Sequence, residues 1–327
     1  MKRVSFGRRA AALSIAALVL VLLALAPGPL SACSMCRCSD PVFSALGEGL
    51  YTYGGFQIAV DWNRLDQTQG TEIPEGHEGE EHLRGSKHGG DFEEQVRNTI
   101  TTTISYGWHE RLTLVAQVPY TFNELTEAEE IQKADGLADP LFFVYGRLWA
   151  SKFEQGLGRR AWLWAVFSVK TPWGQNDVTV DGERLDEHVQ PGTGATNLAG
   201  GFSGLYLIDE NSSLYASTMY TGTGRNEFGY KYGDNVQANV YYDRKLTNWL
   251  DAVLEVNYLY AKRDQVDALG LVEPNTGGNS LYLTPRVAVN VVRGLVARAA
   301  AQFPVWEDLN GIQDIKPAYT AGLTYVF

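Results

Sequence analysis

Beyond residue 50, apolar and polar residues alternate in one run after another, the two-residue period of a strand whose faces meet different surroundings. Phe56, Ile58, Val60 and Trp62 alternate with Gln57, Ala59, Asp61 and Asn63. Val96, Ile100, Ile104, Tyr106 and Trp108 oppose Arg97, Thr99, Thr101, Thr103 and Ser105, and Leu112 to Phe122 continues the pattern. Val236, Ala238, Val240 and Tyr242 oppose Gln237, Asn239, Tyr241 and Asp243, and similar runs follow from Leu250 and from Leu281. Twelve such segments are predicted, near 51–65, 94–108, 111–122, 139–150, 160–173, 195–208, 212–224, 232–246, 249–264, 278–292, 295–307 and 317–327.

The connections alternate as well. Short turns fall at 109–110, 209–212, 247–248 and 293–294, with a medium one at 151–159. Long connections fall at 66–93, 123–138, 174–194, 225–231, 265–277 and 308–316. An even strand count with short turns on one rim and long loops on the other predicts an all-β fold, a transmembrane antiparallel β-barrel of the bacterial outer-membrane type. Hydrocarbon leaves no backbone group unpaired, so strands that span it must close into a ring. A soluble β-sandwich would alternate too, but would explain neither the Tyr and Trp rims nor the loop asymmetry.

Export is written into the first 32 residues. Lys2, Arg3, Arg8 and Arg9 precede an apolar run from Ala10 to Ala26 and a short stretch ending at Ala32, the three parts of a secretory signal. Residues 33–48 then form a Cys-containing segment, and 49–327 the barrel. Leu30-Ser31-Ala32-Cys33 resembles a bacterial lipobox, so Cys33 is either lipidated or a free thiol after ordinary cleavage. The chain carries a net charge of −11, and removing a basic leader makes the remainder more acidic. That balance excludes a nucleic-acid partner, which needs clustered Lys and Arg. The expected partners are outer-membrane lipid, a small solute, and the assembly machinery. Tyr319, Ala321, Leu323, Tyr325 and Phe327 share one face of the last strand. This run, with Gly322, Tyr325 and Phe327, resembles the terminal signal that machinery reads.

Several motifs sit between the strands: Gly136-Leu-Ala-Asp139-Pro140, Val169-Lys-Thr-Pro172-Trp-Gly174, Gln190-Pro-Gly-Thr-Gly-Ala-Thr196, Tyr230-Lys-Tyr-Gly233-Asp234, Leu283-Thr-Pro285 and Phe303-Pro304-Val305. In order and spacing, over roughly 136–327, they resemble the outer-membrane transporter family named for the MetA pathway of phenol degradation. The resemblance implies a channel or transporter with poorly defined substrates; the 66–93 loop and the Cys-rich start fall outside it. Physically, Gly and Pro here set turn geometry and strand exits.

Candidate chemistry is sparse. Cys33, Cys36 and Cys38 could hold a soft ion such as Cu(I) or Zn²⁺, dock a periplasmic partner, or oxidise. There are no further cysteines to complete a second ligand pair. No other cofactor is implied. His77, His82 and His88 stand in a loop where acids exceed bases by seven over 66–94, which reads either as a solvated acidic loop or as loose ligands for a divalent ion. The connections at 123–138 and 174–194 are each net −4, so the long-loop rim is acidic as a whole and its field should gather cations. Strand parity assigns Asp61, Arg97, Arg147, Lys170, Asp243, Asp251, Glu255, Arg286 and Arg298 to the lumen, as an interior salt-bridge network or the eyelet of a pore. The five histidines (His77, His82, His88, His109 and His188) all lie in predicted connections. None is followed two residues later by Ser, so the chain reads as non-enzymatic. The expected function is an outer-membrane channel or transporter for a small solute. The rivals are a metal-handling or redox-associated outer-membrane protein, and a barrel enzyme.

Overall fold

The computed structural model describes residues 54–70, 92–127, 130–151, 161–266 and 271–327. Its strands are β1 (Phe56–Gly70), β2 (Phe92–His109), β3 (Leu112–Glu127), β4 (Glu130–Leu137), β5 (Leu141–Ala150), β6 (Ala161–Lys170), β7 (Thr179–Val180) and β8 (Glu183–Arg184). They continue as β9 (Asn197–Asp209), β10 (Ser212–Gly222), β11 (Asn235–Lys245), β12 (Leu250–Ala261), β13 (Gly278–Val292), β14 (Leu295–Leu309), β15 (Gln313–Ile315) and β16 (Ala318–Val326). No helix among the described residues is long and apolar enough to cross a membrane.

Each barrel strand pairs antiparallel with its neighbours, and β1 closes the ring by pairing with β2 on one side and β16 on the other. The ring has twelve strands: β1, β2, β3, β5, β6, β9 to β14 and β16. Val60, Ile100, Ile104, Val118, Phe167, Phe202, Val240, Val256 and Leu323 are exposed on the outer face. Aromatic rings border that band at both ends. Tyr106, Trp108, Trp149, Tyr206, Tyr242, Trp249 and Tyr325 lie towards the short turns, and Tyr120, Tyr220, Tyr260 and Trp306 towards the long loops. A closed ladder with an apolar belt and two aromatic girdles is a membrane-spanning barrel of the outer-membrane kind.

One expected loop is a strand hairpin instead, and another is shorter than expected. The predicted connection at 123–138 is a hairpin: β3 rises to Glu127 and β4 returns from Glu130, pairing from Glu127↔Glu130 to Tyr120↔Leu137. The period-two pattern persists there. Leu125 and Ala134 turn inward and pack with Leu185 and Val189 of the following long loop, which gives the hairpin a buried face. At Ala138-Asp139-Pro140 the ladder breaks, and β5 resumes against the lower part of β3. The 66–93 connection shrinks at both ends, because β1 runs to Gly70 and β2 begins at Phe92 in continuous register.

The inner face has two unlike halves. Gln57, Thr99, Thr101, Thr103, Ser105, Asn257, Thr284, Gln302 and Thr324 line one side. On the other, β3, β5, β6, β9, β10 and β11 contribute an apolar cluster that includes Val115, Phe143, Tyr145, Trp164, Tyr215, Met219 and Tyr241. Tyr215 and Tyr241 stack with centroids 4.7 Å apart. These inward side chains are almost all buried, leaving little of the inner wall to solvent.

Candidate functional site

Backbone register places the interior charges in rows. Asp61 stands opposite Gly322, and Gly322 opposite Arg298, so β16 crosses between an acid on β1 and a base on β14. Glycine leaves the path open, and the guanidinium reaches over it with Nε to Oδ1 at 2.9 Å and Nη2 to Oδ2 at 2.5 Å. A Cβ at 322 would lie 1.9 Å from the Asp61 oxygen. On the strands next to β14, Arg286 of β13 donates to Glu255 of β12 at 2.8 Å, and Asn257 donates to the other oxygen of Glu255 at 2.6 Å. Thr284 and Gln302 complete the shell around Asn257. Both charge pairs are buried with each carboxylate accepting two hydrogen bonds, and removing one charged partner of such a pair is costly.

The other residues assigned to the lumen by parity spread along the wall. Arg147 stands opposite the buried Trp164. Asp243 and Asp251 lie near the short-turn end, where Asn290 donates to Asp251 at 3.3 Å. Arg97 and Lys170 lie at the opposite end, and both hold the long loop that follows β6.

That loop, 171–196, folds across the mouth. Its two ends are tied to Asp139, which fills the break between β4 and β5. One Asp139 oxygen accepts from Gly174 N at 3.0 Å. The other accepts from Thr193 N at 2.8 Å and Thr193 Oγ1 at 2.6 Å, with Lys170 Nζ at 3.1 Å. A Cβ at Gly174 or Gly192 would come within 2.9 Å of this carboxylate, so both positions need the bare backbone. Three of the inter-strand motifs thus meet in one clamp.

The middle of the loop hangs on the barrel wall by its carbonyls. Gln95 and Arg97 both donate to the carbonyl of His188, Arg97 at 3.0 Å. Asn123 donates to the carbonyls of Val189 and Gln190 at 2.9 and 3.0 Å. Across the opening, Asn226 donates to Glu187 at 2.6 Å and to the carbonyl of Thr193 at 3.1 Å. Tyr232 donates to the Glu187 carbonyl at 3.2 Å. Val189 is fully buried.

His188 is the centre of a charged chain. Nδ1 lies 2.9 Å from Asp186, and Nε2 lies 3.3 Å from the Tyr230 hydroxyl. The hydroxyl lies 2.8 Å from Asp264 and 3.1 Å from Glu273. Burial alone would push the imidazole down, but the carboxylates of Asp186, Glu273 and Glu93 outweigh it and push His188 up to about 10. Burial likewise opposes ionisation of Asp186, yet His188 holds it down at about 2. Burial pushes Glu187 up despite Arg184, which donates to it at 2.8 Å. His188 is therefore an imidazolium at neutral pH, donating from both nitrogens.

This chain was not foreseen as a unit. Asp139, Gln190, Thr193 and Tyr230 stand inside the motifs quoted above, each of which reads in the sequence as turn chemistry alone. Asn226, Asp264 and Glu273 carried no signal. Cys33, Cys36, Cys38, His77, His82 and His88 lie outside the described residues. His109 is the last residue of β2, not part of a connection. Among the described residues no three of His, Cys, Asp and Glu are placed to hold a metal ion.

The fold has solved counterparts. An outer-membrane channel from Pseudomonas putida F1 superposes with a TM-score of 0.61 at 10% identity, covering 93% of this chain and 100% of that one. The transport unit of the autotransporter AIDA-I from Escherichia coli superposes with a TM-score of 0.50 at 11% identity, covering 88% and 96%. At such identity the likeness is one of fold, and the two counterparts do different work on it. No family model and no curated protein matches the sequence.

Proposed function

We propose that this protein is an outer-membrane channel for a small solute, closed in the conformation described and opened when the 171–196 loop leaves the mouth. One observation carries the reading. Three consecutive carbonyls of that loop are held by three side chains of the wall, Gln95, Arg97 and Asn123. Hydrogen bonds to side chains exchange with water at small net cost, so these ties can be released. The polar half of the interior suits a hydrated path once side chains turn aside.

The motif resemblance to the phenol-degradation transporter family agrees with this reading and supplies no solute. Catalysis fits the geometry poorly. His188 has the orienting carboxylate of a general base, but its other nitrogen meets Tyr230 and an acidic cluster, not a serine, threonine or cysteine nucleophile. The test is single-channel recording in planar bilayers. The native protein should show small, infrequent openings, and the double variant R97A/N123A larger and more frequent ones. Silence from both, with the barrel folded, would refute the channel.

A further inference from the structure

We infer that the outer surface of the barrel carries a binding site for the phosphate of an anionic outer-leaflet lipid, lipopolysaccharide, built from Lys231 and Lys262 around Asp234. In strand-like alternation Tyr230 turns inward to His188, and the next residue, Lys231, emerges on the opposite side. Asp234 accepts from Lys231 Nζ through one oxygen at 3.0 Å and from Lys262 Nζ through the other at 2.9 Å. Two ammonium groups therefore share one carboxylate, and Arg263, which follows Lys262 in the chain, is exposed as well.

The charge ratio sets this place apart. Elsewhere near the long-loop rim three ion pairs set one cation against one acid: Arg64 with Asp66, Lys133 with Glu124, and Lys316 with Glu94. Here a positive excess persists on a chain of net −11. Lys262 keeps 56% of its side chain exposed although it is bonded, so its remaining donors face outward.

The height of the pair on the barrel identifies the occupant. Tyr220 and Tyr260 stand in one row either side of Val236, and both are exposed on the lipid face. Lys262 N donates to the Asp234 carbonyl at 2.9 Å, one step beyond that row. Aromatic residues of this kind mark the interface between hydrocarbon and headgroups. A cationic pair immediately outside them lies at the depth of headgroup phosphates, and in the outer leaflet those belong chiefly to lipopolysaccharide. Ammonium groups bind phosphate as point charges, and each lysine near an anionic surface adds measurably to the attraction. This inference does not depend on the channel reading.

Thermal unfolding of the full-length barrel in detergent, followed by its heat-modifiable gel shift, tests the site against titrated lipopolysaccharide. The native protein should be stabilised, and K231Q/K262Q should need roughly thirtyfold more lipopolysaccharide for the same shift. Dephosphorylated lipopolysaccharide should lose the advantage on the native protein, a comparison that needs no variant. An unchanged response in K231Q/K262Q, or equal stabilisation by the dephosphorylated lipid, would overturn the site. Competition by millimolar inorganic phosphate would make it a free-phosphate site, and equal binding to phosphatidylglycerol vesicles would remove the assignment to lipopolysaccharide.

Discussion

Gly322 illustrates how a single residue can serve two purposes. Within the terminal segment it belongs to the run that resembles an assembly signal, and inside the barrel it makes room for the Asp61–Arg298 pair. Gly322→Ala leaves every aromatic of the signal intact yet drives a methyl group into the carboxylate, so the folded barrel should lose its heat resistance while Phe327 still stands. Asp61→Ala should destabilise by about 3–5 kcal/mol, the usual cost of stranding one buried charge, and an apolar replacement of both partners should recover much of it. Equilibrium unfolding of the refolded barrel measures both. His188 gives a pH dependence with a definite sign. Its pKa is raised on folding, so its contribution is complete below the unfolded value of about 6.5 and is lost as pH climbs through about 10. Asp186, held down at about 2, loses its contribution only in strong acid. The groups facing His188 are Asp186 and Glu187 on its own loop, Tyr230, Asp264 and Glu273 opposite, and Glu93 on β2. Channel openings should therefore become more frequent between pH 7 and pH 10, and His188→Gln should flatten that rise. A native profile that stays flat would count against the imidazolium as a latch.

At the scale of elements, the 171–196 loop and the β3–β4 hairpin define the mouth together. Leu125 and Ala134 of the hairpin pack on Leu185 and Val189 of the loop, so each gives the other its buried face. Asn226→Ala removes the bonds across the opening to Glu187 and to the Thr193 carbonyl but leaves the Asp139 carboxylate its own donors. It should raise open probability with a smaller loss of thermal stability than Asp139→Ala, which should loosen both ends of the loop. Bilayer recording and gel-shift melting of the two variants separate these outcomes. The elements also show where periodicity misleads. β5 reads Leu-Phe-Phe-Val-Tyr and β6 reads Ala-Trp-Leu-Trp-Ala-Val-Phe, apolar on both faces. Such continuous runs mark strands buried on both sides, and here they signal the aromatic half of the interior. Attention to charged lumen residues alone passes over that half.

For the whole molecule, closure and charge are the governing facts. Phe327 caps the seam: its N–H donates to the Phe56 carbonyl at 3.0 Å, and its ring packs on Phe56 and Tyr325 with centroids 5.2 and 4.8 Å away. Deleting it removes a ladder bond, two ring contacts and the last aromatic of the terminal run. Insertion should slow, which the appearance of the heat-modifiable band during assembly would measure. The long-loop rim exposes Asp135, Asp177, Asp181, Glu183 and Asp308. Some acids counted along the sequence are neutralised in place, Glu94 by Lys316, Glu124 by Lys133 and Glu187 by Arg184. The remaining field should make the open channel prefer cations in dilute KCl. Screening falls to roughly 3 Å at 1 M salt, so the preference should fade there, and D177N/D181N/E183Q should weaken it at low salt. Reversal potentials across KCl gradients report the sign, and an anionic one at low salt would refute the argument.

The sequence by itself determined the strand number, the facing of the alternating strands and the split between short turns and long loops. All of these follow from local alternation and turn residues, which act within a few positions along the chain. The tertiary structure alone decided what fills the barrel. Asp61 finds Arg298 across 237 positions, and Arg97 finds His188 across 91. No local pattern encodes which loop folds inward, because that choice depends on a carboxylate at 139, carbonyls at 188–190 and an amide at 226 meeting only after the ring has closed.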